Sequence, residues 1–306
     1  MELSDLVTFK AVAEVGGVTR AARRLHCVQS NVTARVKRLE SDLGVELFVR
    51  GRRGMSLTPE GRRLLGYADR LLHLAEEARA DVGAQPARGR LRIGAMDSTA
   101  AVHLPRLLAT LHARYPALEV ELVTATSGVL LGQVRAGDLS AAFVAGEVVE
   151  PGIAADAVFV EELVLVTHRT AKRGPDRQDL AGKTLVAFGA GCTYRACVEA
   201  WLQERQVKPP RVFEVGSYHA LLACVAADVG YSVVPRSVLQ AARVGAAVRA
   251  HETARRPWRV VTWLVRRAGD RSRAVEALRE LAVAGRAGRP GPPAAGDGLA
   301  RPRRLE

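Results

Sequence analysis

The chain has 306 residues, which is enough for two or three domains that each bury a hydrophobic core. With 48% hydrophobic and 25% charged residues, its composition excludes a wholly disordered chain. The four cysteines include no CxxC pair and no Cys/His cluster at metal-ligand spacing, so we expect neither a disulfide scaffold nor a metal or other cofactor. The formal net charge of +13 favours a polyanion as a partner.

The distribution of apolar and charged residues along the chain further limits the class of protein. No apolar run reaches the roughly 18 residues of a membrane span, and the first five residues lack the start of a secretory signal. We therefore expect a cytoplasmic protein with no membrane partner. Residues 17–63 carry eleven basic and four acidic side chains, so positive charge is concentrated near the N-terminus. Residues 285–306 are rich in Gly, Pro, Ala and Arg, which predicts a disordered basic tail.

The N-terminal segment predicts three short helices. The first begins near Leu3 and is ended by Gly16 and Gly17, and the second is expected to start at a cap formed by Val18 and Thr19. The third spans residues 29–43, with its apolar positions recurring at steps of four, three and four residues. This spacing is typical of a helix-turn-helix unit.

The third helix has a polar face opposite its apolar stripe. Hydroxyls, a small residue and cations on one face suit the major groove of DNA, although a solvated helix face is the simpler alternative. The candidate DNA-binding residues of this helix are Gln29, Ser30, Thr33, Ala34, Lys37 and Arg38.

Two short β-like runs follow this helix. They are joined by a Gly-flanked arginine pair, which predicts a hairpin wing. Arg50, Arg52 and Arg53 near its tip are expected to meet phosphates or the minor groove. Residues 1–58 therefore predict a winged helix-turn-helix DNA-binding domain.

Residues 59–86 predict a long linker helix. Thr58, Pro59 and Glu60 form a helix start, and the helix is expected to continue to about Val82. We expect it to form a homodimer, and the alternative is a helix packed on its own domain. A coiled-coil seam is predicted from six residues: Leu64, Ala68, Leu71, Ala75, Ala78 and Val82.

About 65 residues at the N-terminus closely resemble the LysR-type transcriptional regulators. The matching motifs, in family order, are Phe9–Ala13, Ala21–Leu25, Gln29–Thr33, Arg38–Glu40, Leu43–Arg50 and Leu57–Gly61. The resemblance implies a winged helix-turn-helix, a linker helix and a two-lobed α/β effector domain like that of periplasmic binding proteins.

The resemblance also implies roles. Gln29, Ser30, Thr33 and Lys37 would read or grip operator DNA, whereas Ala34 departs from the Arg or Gln frequent in relatives. The expected partners are double-stranded promoter DNA, a small-molecule effector, RNA polymerase and further copies of the chain, as a dimer or tetramer.

Residues 91–284 predict the α/β effector domain. A βαβαβ alternation up to Val144 predicts a parallel sheet, which binds ligands where its strands end and helices begin. Ser98, Thr99, Thr126 and Ser127 occupy such strand ends, although plain helix capping is the commoner use of these residues.

A second lobe is expected at about residues 163–262, and the first at about 91–160 and 266–284. Cys192, Thr193 and Arg195 follow one strand of the second lobe and Ser217 follows another. Likeness to the family implies that both lobes clasp an anionic or aromatic metabolite, to which Arg195 would add charge.

Other chemistries fit less well. A Gly189-x-Gly191 pair hints at a dinucleotide site, but Tyr194 occupies the third glycine position, and no nucleophile–base arrangement emerges for an enzyme. Two alternatives stay open: a redox sensor built on Cys192 with Cys197, and a ligand-independent repressor.

Overall fold

The computed structural model describes residues 1–51, 54–82, 87–171, 177–242, 247–252, 258–270 and 272–285. Arg52, Arg53 and nearly all of the predicted basic tail therefore lie outside the described residues, as does the side chain of Arg50. The chain divides into two compact units, residues 1–85 and 86–306.

The first unit is a winged helix-turn-helix followed by a long helix. Its core includes Leu6, Phe9, Val36 and Leu39, and the rings of Phe9 and Phe48 lie 5.3 Å apart. Its elements are α1 (Leu3–Val15), α2 (Val18–Arg24), α3 (Gln29–Leu43), β1 (Phe48–Gly51), β2 (Gly54–Leu57) and α4 (Pro59–Val82).

Local chemistry sets the ends of these helices. α1 and α3 end at Gly16 and Gly44, whose φ angles of 68° and 67° are costly for other residues. α4 begins after Thr58, whose Oγ1 accepts a hydrogen bond from the Gly61 N–H at 2.9 Å. The expected cap at Thr19 is wrong, because Gly17 is the N-cap of α2 and no side chain caps that helix.

The second unit is an α/β domain. Its strands are β3 (Gly89–Ala95), β4 (Leu118–Thr124), β5 (Ala141–Ala145), β6 (Ile153–His168), β7 (Thr184–Phe188), β8 (Val212–Val215), β9 (Gly230–Pro235), β10 (Val248–His251) and β11 (Trp258–Arg267). Its helices are α5 (Asp97–Val102), α6 (Leu104–Arg114), α7 (Ser127–Ala136), α8 (Arg177–Ala181), α9 (Thr193–Glu204), α10 (Tyr218–Ala226), α11 (Arg236–Ala241) and α12 (Arg273–Ala284).

The strands form one nine-stranded mixed sheet in the order β4-β3-β5-β11-β6-β9-β7-β8, with β10 also paired to β6. β3 lies parallel to both β4 and β5, which confirms the predicted βαβαβ alternation. We use "first lobe" for β3, β4 and β5 with their helices, and "second lobe" for β7, β8, β9 and β10 with theirs. The residue boundaries predicted for the lobes stay predictions.

β6 and β11 connect the two lobes. β6 pairs with β11 along most of its length and then with β9 and β10, whereas β11 also pairs with β5. Glu161 on β6 is buried, contacts His103 between α5 and α6, and accepts a hydrogen bond from Ser237 of α11 at 2.6 Å. A single carboxylate therefore joins helices from both lobes to the shared strand. Among the described residues, no helix has the length and apolarity needed to cross a membrane.

Candidate DNA-binding face and effector cavity

The outward face of α3 is open to solvent. Val32, Val36 and Leu39 are buried on its inner side. Of the predicted DNA-binding residues on this helix, Gln29, Ser30, Ala34, Lys37 and Arg38 are exposed and Thr33 is half-buried. The helix therefore presents these side chains together along one surface, where a polyanion has access to them.

The polar side chains of this face differ in how they are held. Thr33 Oγ1 donates to the Gln29 carbonyl at 3.0 Å, and Gln29 Oε1 accepts from Thr19 Oγ1 at 3.0 Å. The bond from Thr19 fixes the start of α3 against α2, whereas the bond from Thr33 lies within α3. Lys37 makes no hydrogen bond or ion pair with the described residues, so its ammonium group is available to a phosphate or a base.

Arg38 is held differently from Lys37. It forms ion pairs with Glu2, at 3.3 Å, and with the fully buried Asp5 of α1. Burial of the Asp5 carboxylate favours its neutral form, but hydrogen bonds from Arg38 and the Glu2 N–H prevail and lower its pKa. Arg38 therefore fastens α3 to α1.

The wing is tied to the end of α1. The Met55 N–H donates to the Gly16 carbonyl at 3.0 Å, and Arg20 donates to the same carbonyl at 3.2 Å. Arg20 is exposed beside Gly54, so it adds a cation next to the wing. Sequence patterns missed this residue, because it belongs to α2 and comes near the wing only through the fold.

A cavity of about 250 Å³ lies in the second unit, where β3, β4, β7 and β8 end and α5, α7, α9 and α10 begin. Its wall therefore comes from both lobes. The lining residues are Met96, Asp97, Ser98, Thr124, Ala125, Thr126, Ser127, Phe188, Gly189, Ala190, Cys192, Thr193, Tyr194, Gly216 and Tyr218.

Five of the eight predicted effector residues line this cavity: Ser98, Thr126, Ser127, Cys192 and Thr193. The other three lie outside its lining. Thr99 is buried, and Ser217 caps α10 by accepting a hydrogen bond from the Ala220 N–H at 3.3 Å. Arg195 pairs with Glu199 at 2.7 Å and with Glu214 at 2.5 Å, so its positive charge is neutralised locally.

Side-chain hydroxyls join the lobes at the cavity. Thr193 Oγ1 of α9 donates to Ser127 Oγ of α7 at 3.3 Å, and Ser98 Oγ of α5 donates to the Tyr194 hydroxyl at 3.5 Å. Burial raises the pKa of Tyr194 far above its usual value, so this phenol is neutral at physiological pH. A ligand in the cavity is placed to alter contacts between the lobes.

The chemistry of the two cysteines does not favour thiolates. Burial raises the pKa of Cys192, although hydrogen bonds from the N–H groups of Arg195 and Tyr194 act in the opposite direction. Burial also raises the pKa of Cys197 to about 11. Because the thiolate is the form of cysteine that attacks peroxide, this environment supports a cavity-lining role for Cys192 over a redox role.

Among the described residues, Asp97 contributes the only ionisable carboxyl group of the cavity lining, which contains no Lys, Arg or His. Burial raises the pKa of Asp97, and the nearby His219 moderates this effect. The described residues contain no cluster of His, Cys, Asp and Glu able to hold a metal ion.

Comparisons with known proteins agree with both parts of this description. Residues 3–62 match the family model described as "Bacterial regulatory helix-turn-helix protein, lysR family". Residues 84–287 match the family model of the LysR substrate binding domain. The HTH-type transcriptional regulator GltR of Bacillus subtilis is 37% identical over 87% of this chain and 90% of its own length. YofA of Bacillus velezensis is 40% identical over 78% of this chain and 83% of its own.

Solved structures match residues of both units. A full-length OxyR variant from Pseudomonas aeruginosa has a TM-score of 0.68 and 25% identity, and the match covers 94% of this chain and 95% of that one. Full-length CbnR in complex with its target DNA has a TM-score of 0.65 and 28% identity, covering 92% of this chain and 100% of that one. The chain belongs to the LysR family of transcriptional regulators, with a helix-turn-helix DNA-binding domain and an effector-binding domain.

Proposed function

We propose that this regulator binds inverted-repeat promoter DNA as a dimer or tetramer and changes its DNA complex when a small molecule enters the cavity. The observation that carries this proposal is the construction of the cavity wall from both lobes. Because Ser127 and Ser98 of the first lobe bond to Thr193 and Tyr194 of the second, a ligand there has different contacts in open and closed arrangements. Such differential binding is what shifts a conformational equilibrium.

The DNA-binding half of the proposal rests on α3. Its exposed face carries Lys37, which is unpaired among the described residues, beside Ser30 and Ala34. A side chain as small as Ala34 permits close approach to base edges, while Lys37 supplies charge for the backbone. We propose direct contacts for these residues, and a positioning role for Arg38 through Asp5.

The dimerisation half rests on α4, where the predicted seam divides into two faces. Leu64 and Ala68 pack into the core of their own domain. Another apolar row, which we call the exposed stripe, consists of Tyr67, Leu71, Leu74 and Ala78 and follows the same 4-3-4 spacing. Tyr67 is 58% exposed and Leu74 is 57% exposed. We propose that the exposed stripe pairs with the α4 helix of a second copy.

Thermal denaturation of the full-length protein across a panel of metabolites tests the ligand response. We expect at least one compound to raise the melting temperature, and the same compound to change the DNase I footprint on a bound promoter. A Ser98→Trp variant, whose indole would fill the cavity, is expected to lose both effects. A ligand-independent repressor would show no stabilising compound and an unchanged footprint.

Two further parts of the proposal concern partners and place of action. We also propose that the regulator acts in the cytoplasm and contacts RNA polymerase. Co-purification of RNA polymerase on promoter DNA with the regulator bound, compared with DNA alone, tests the contact. No catalytic role is proposed.

A further inference from the structure

The cavity described above differs from the anion site that the sequence suggested. None of the described Lys, Arg or His residues lines it, and the neighbouring Arg195 is paired with Glu199 and Glu214. The lining instead offers one carboxylate, Asp97. An anionic ligand would therefore meet a like charge at the cavity wall.

Asp97 is placed to bind a positive group. It is the first residue of α5 and lines the cavity while remaining exposed to solvent, and it makes no hydrogen bond or ion pair with any described residue. His219, at the start of α10, is a nearby basic side chain that acts electrostatically on Asp97. A carboxylate without a fixed partner at the wall of a partly enclosed cavity favours an ammonium group in a ligand.

The start of α7 offers the complementary chemistry. Thr126 precedes this ten-residue helix without capping it through its side chain, so N–H groups of the first turn remain available. Thr126 and Ser127 both line the cavity. By contrast, α10 is capped by Ser217, whose side chain accepts a hydrogen bond from the Ala220 N–H. A ligand carboxylate would find unused donors at α7.

Aromatic rings complete the wall. Phe188 and Tyr218 line the cavity and meet edge to face, with ring centroids 4.7 Å apart. A volume of about 250 Å³ equals roughly eight water-sized groups, given about 30 Å³ for each water in the liquid. These dimensions suit a small molecule with one apolar substituent.

We propose that the effector is a zwitterion of the α-amino-acid class. Its ammonium group pairs with Asp97, its carboxylate accepts hydrogen bonds at the start of α7, and its side chain packs on Phe188 and Tyr218. This inference rests on the proposed ligand response and names the ligand class for the same cavity.

Calorimetric titration of the full-length protein tests this assignment. The probes are the proteinogenic L-amino acids, followed by matched compounds that lack one charge. For L-leucine these are 4-methylpentanoate and isoamylamine, and for L-phenylalanine they are 3-phenylpropanoate and phenethylamine. We expect at least one amino acid to bind, and at least tenfold weaker binding of its deaminated and decarboxylated counterparts.

Variants at Asp97 assign the ammonium contact. Asp97→Asn is expected to weaken amino-acid binding at least tenfold and to abolish the preference over the deaminated acid. Asp97→Glu keeps the charge and is expected to retain that preference. Glu119→Gln removes a carboxylate from an exposed position outside the cavity and should leave binding unchanged. Melting temperatures show whether each variant is folded.

Three results would overturn the assignment: no amino acid binds, a deaminated acid binds as tightly as its amino acid, or folded Asp97→Asn binds as the wild type does. The proposed function fails separately. If a simple carboxylate binds and changes the DNA footprint, the ligand response stands and only the amino-acid class is rejected. If no compound of any class changes the footprint, the ligand response itself is rejected.

Discussion

Arg38, on the outward side of α3, is paired with Asp5, a carboxylate of α1 that is buried from solvent. The two residues are 33 positions apart in the chain, so their pairing fixes the recognition helix against the first helix. A cation on the proposed DNA-binding face is thereby assigned to holding the domain together. Substituting Arg38 is therefore expected to lower the stability of the domain, whereas substituting its neighbour Lys37 is expected to lower the affinity for DNA.

Asp5→Asn is expected to destabilise the protein by about 1–3 kcal/mol at neutral pH, since it removes a charged hydrogen-bond acceptor from a buried site. The Asp5 pKa is lowered in the folded state, so its stabilisation is present above the ordinary value of 3.8 and is lost as pH falls through the lower folded value. Urea unfolding at several pH values measures this. A stability difference from wild type that does not shrink as the pH is lowered below 3.8 would contradict the pairing.

Lys37→Ala is expected to weaken operator binding, because it removes an ammonium group that we propose contacts a phosphate. The slope of the logarithm of the affinity against the logarithm of the salt concentration should become shallower by about one unit. Fluorescence anisotropy at several salt concentrations measures both quantities. Arg79→Ala is the matched control, because Arg79 is an exposed cation in the last turn of α4. Equal affinity and slope for wild type and Lys37→Ala would remove Lys37 from the interface.

Leu74→Glu is expected to shift the protein from dimer to monomer, because it places a charge in the exposed stripe of α4. Leu74 is exposed within the single chain, so the helix itself should tolerate the substitution. Light scattering after size-exclusion chromatography measures the mass. Arg79→Glu serves as the control. An unchanged dimer mass for Leu74→Glu would exclude the exposed stripe as the dimer contact.

Cys192 and Cys197 are expected to stay reduced under mild peroxide, because burial raises both pKa values and leaves little thiolate at neutral pH. Cys27 is exposed and should react first with iodoacetamide, which provides an internal control for the labelling. Peptide mass spectrometry measures both reactions. A sulfenate or disulfide at Cys192 would restore the redox alternative.

The sequence predicted the first unit well because its signals are local. Periodic apolar residues, Gly16, Gly44 and the Thr58 cap are each read within a few positions, and all mark helix ends in the structure. The division of the α4 apolar residues was not predictable in this way. Leu64 and Ala68 pack into the domain core only because α4 returns across it.

The strands and the cavity of the second unit were harder to predict from the sequence than the helices of the first unit. β6 has 16 residues, but only Leu163–Thr167 formed a recognisable apolar run, because Asp156, Glu161 and Glu162 interrupt the first part. The strand ends were identified, so Ser98, Thr126 and Ser127 were placed near the cavity. Asp97 and Tyr218 were not predicted as site residues. They come together only because the ends of β3, β4, β7 and β8 meet in the folded domain, and the sequence pattern does not show this.

Selection of genomic DNA fragments by the full-length protein tests the central claim most directly. The wild type and an Ala34→Glu/Lys37→Glu variant are each incubated with sheared genomic DNA from the source organism, and retained fragments are sequenced. We expect the wild type to retain upstream fragments that share an inverted repeat, and the variant to retain none of them. Retention without a shared repeat, or equal retention by the variant, would contradict it.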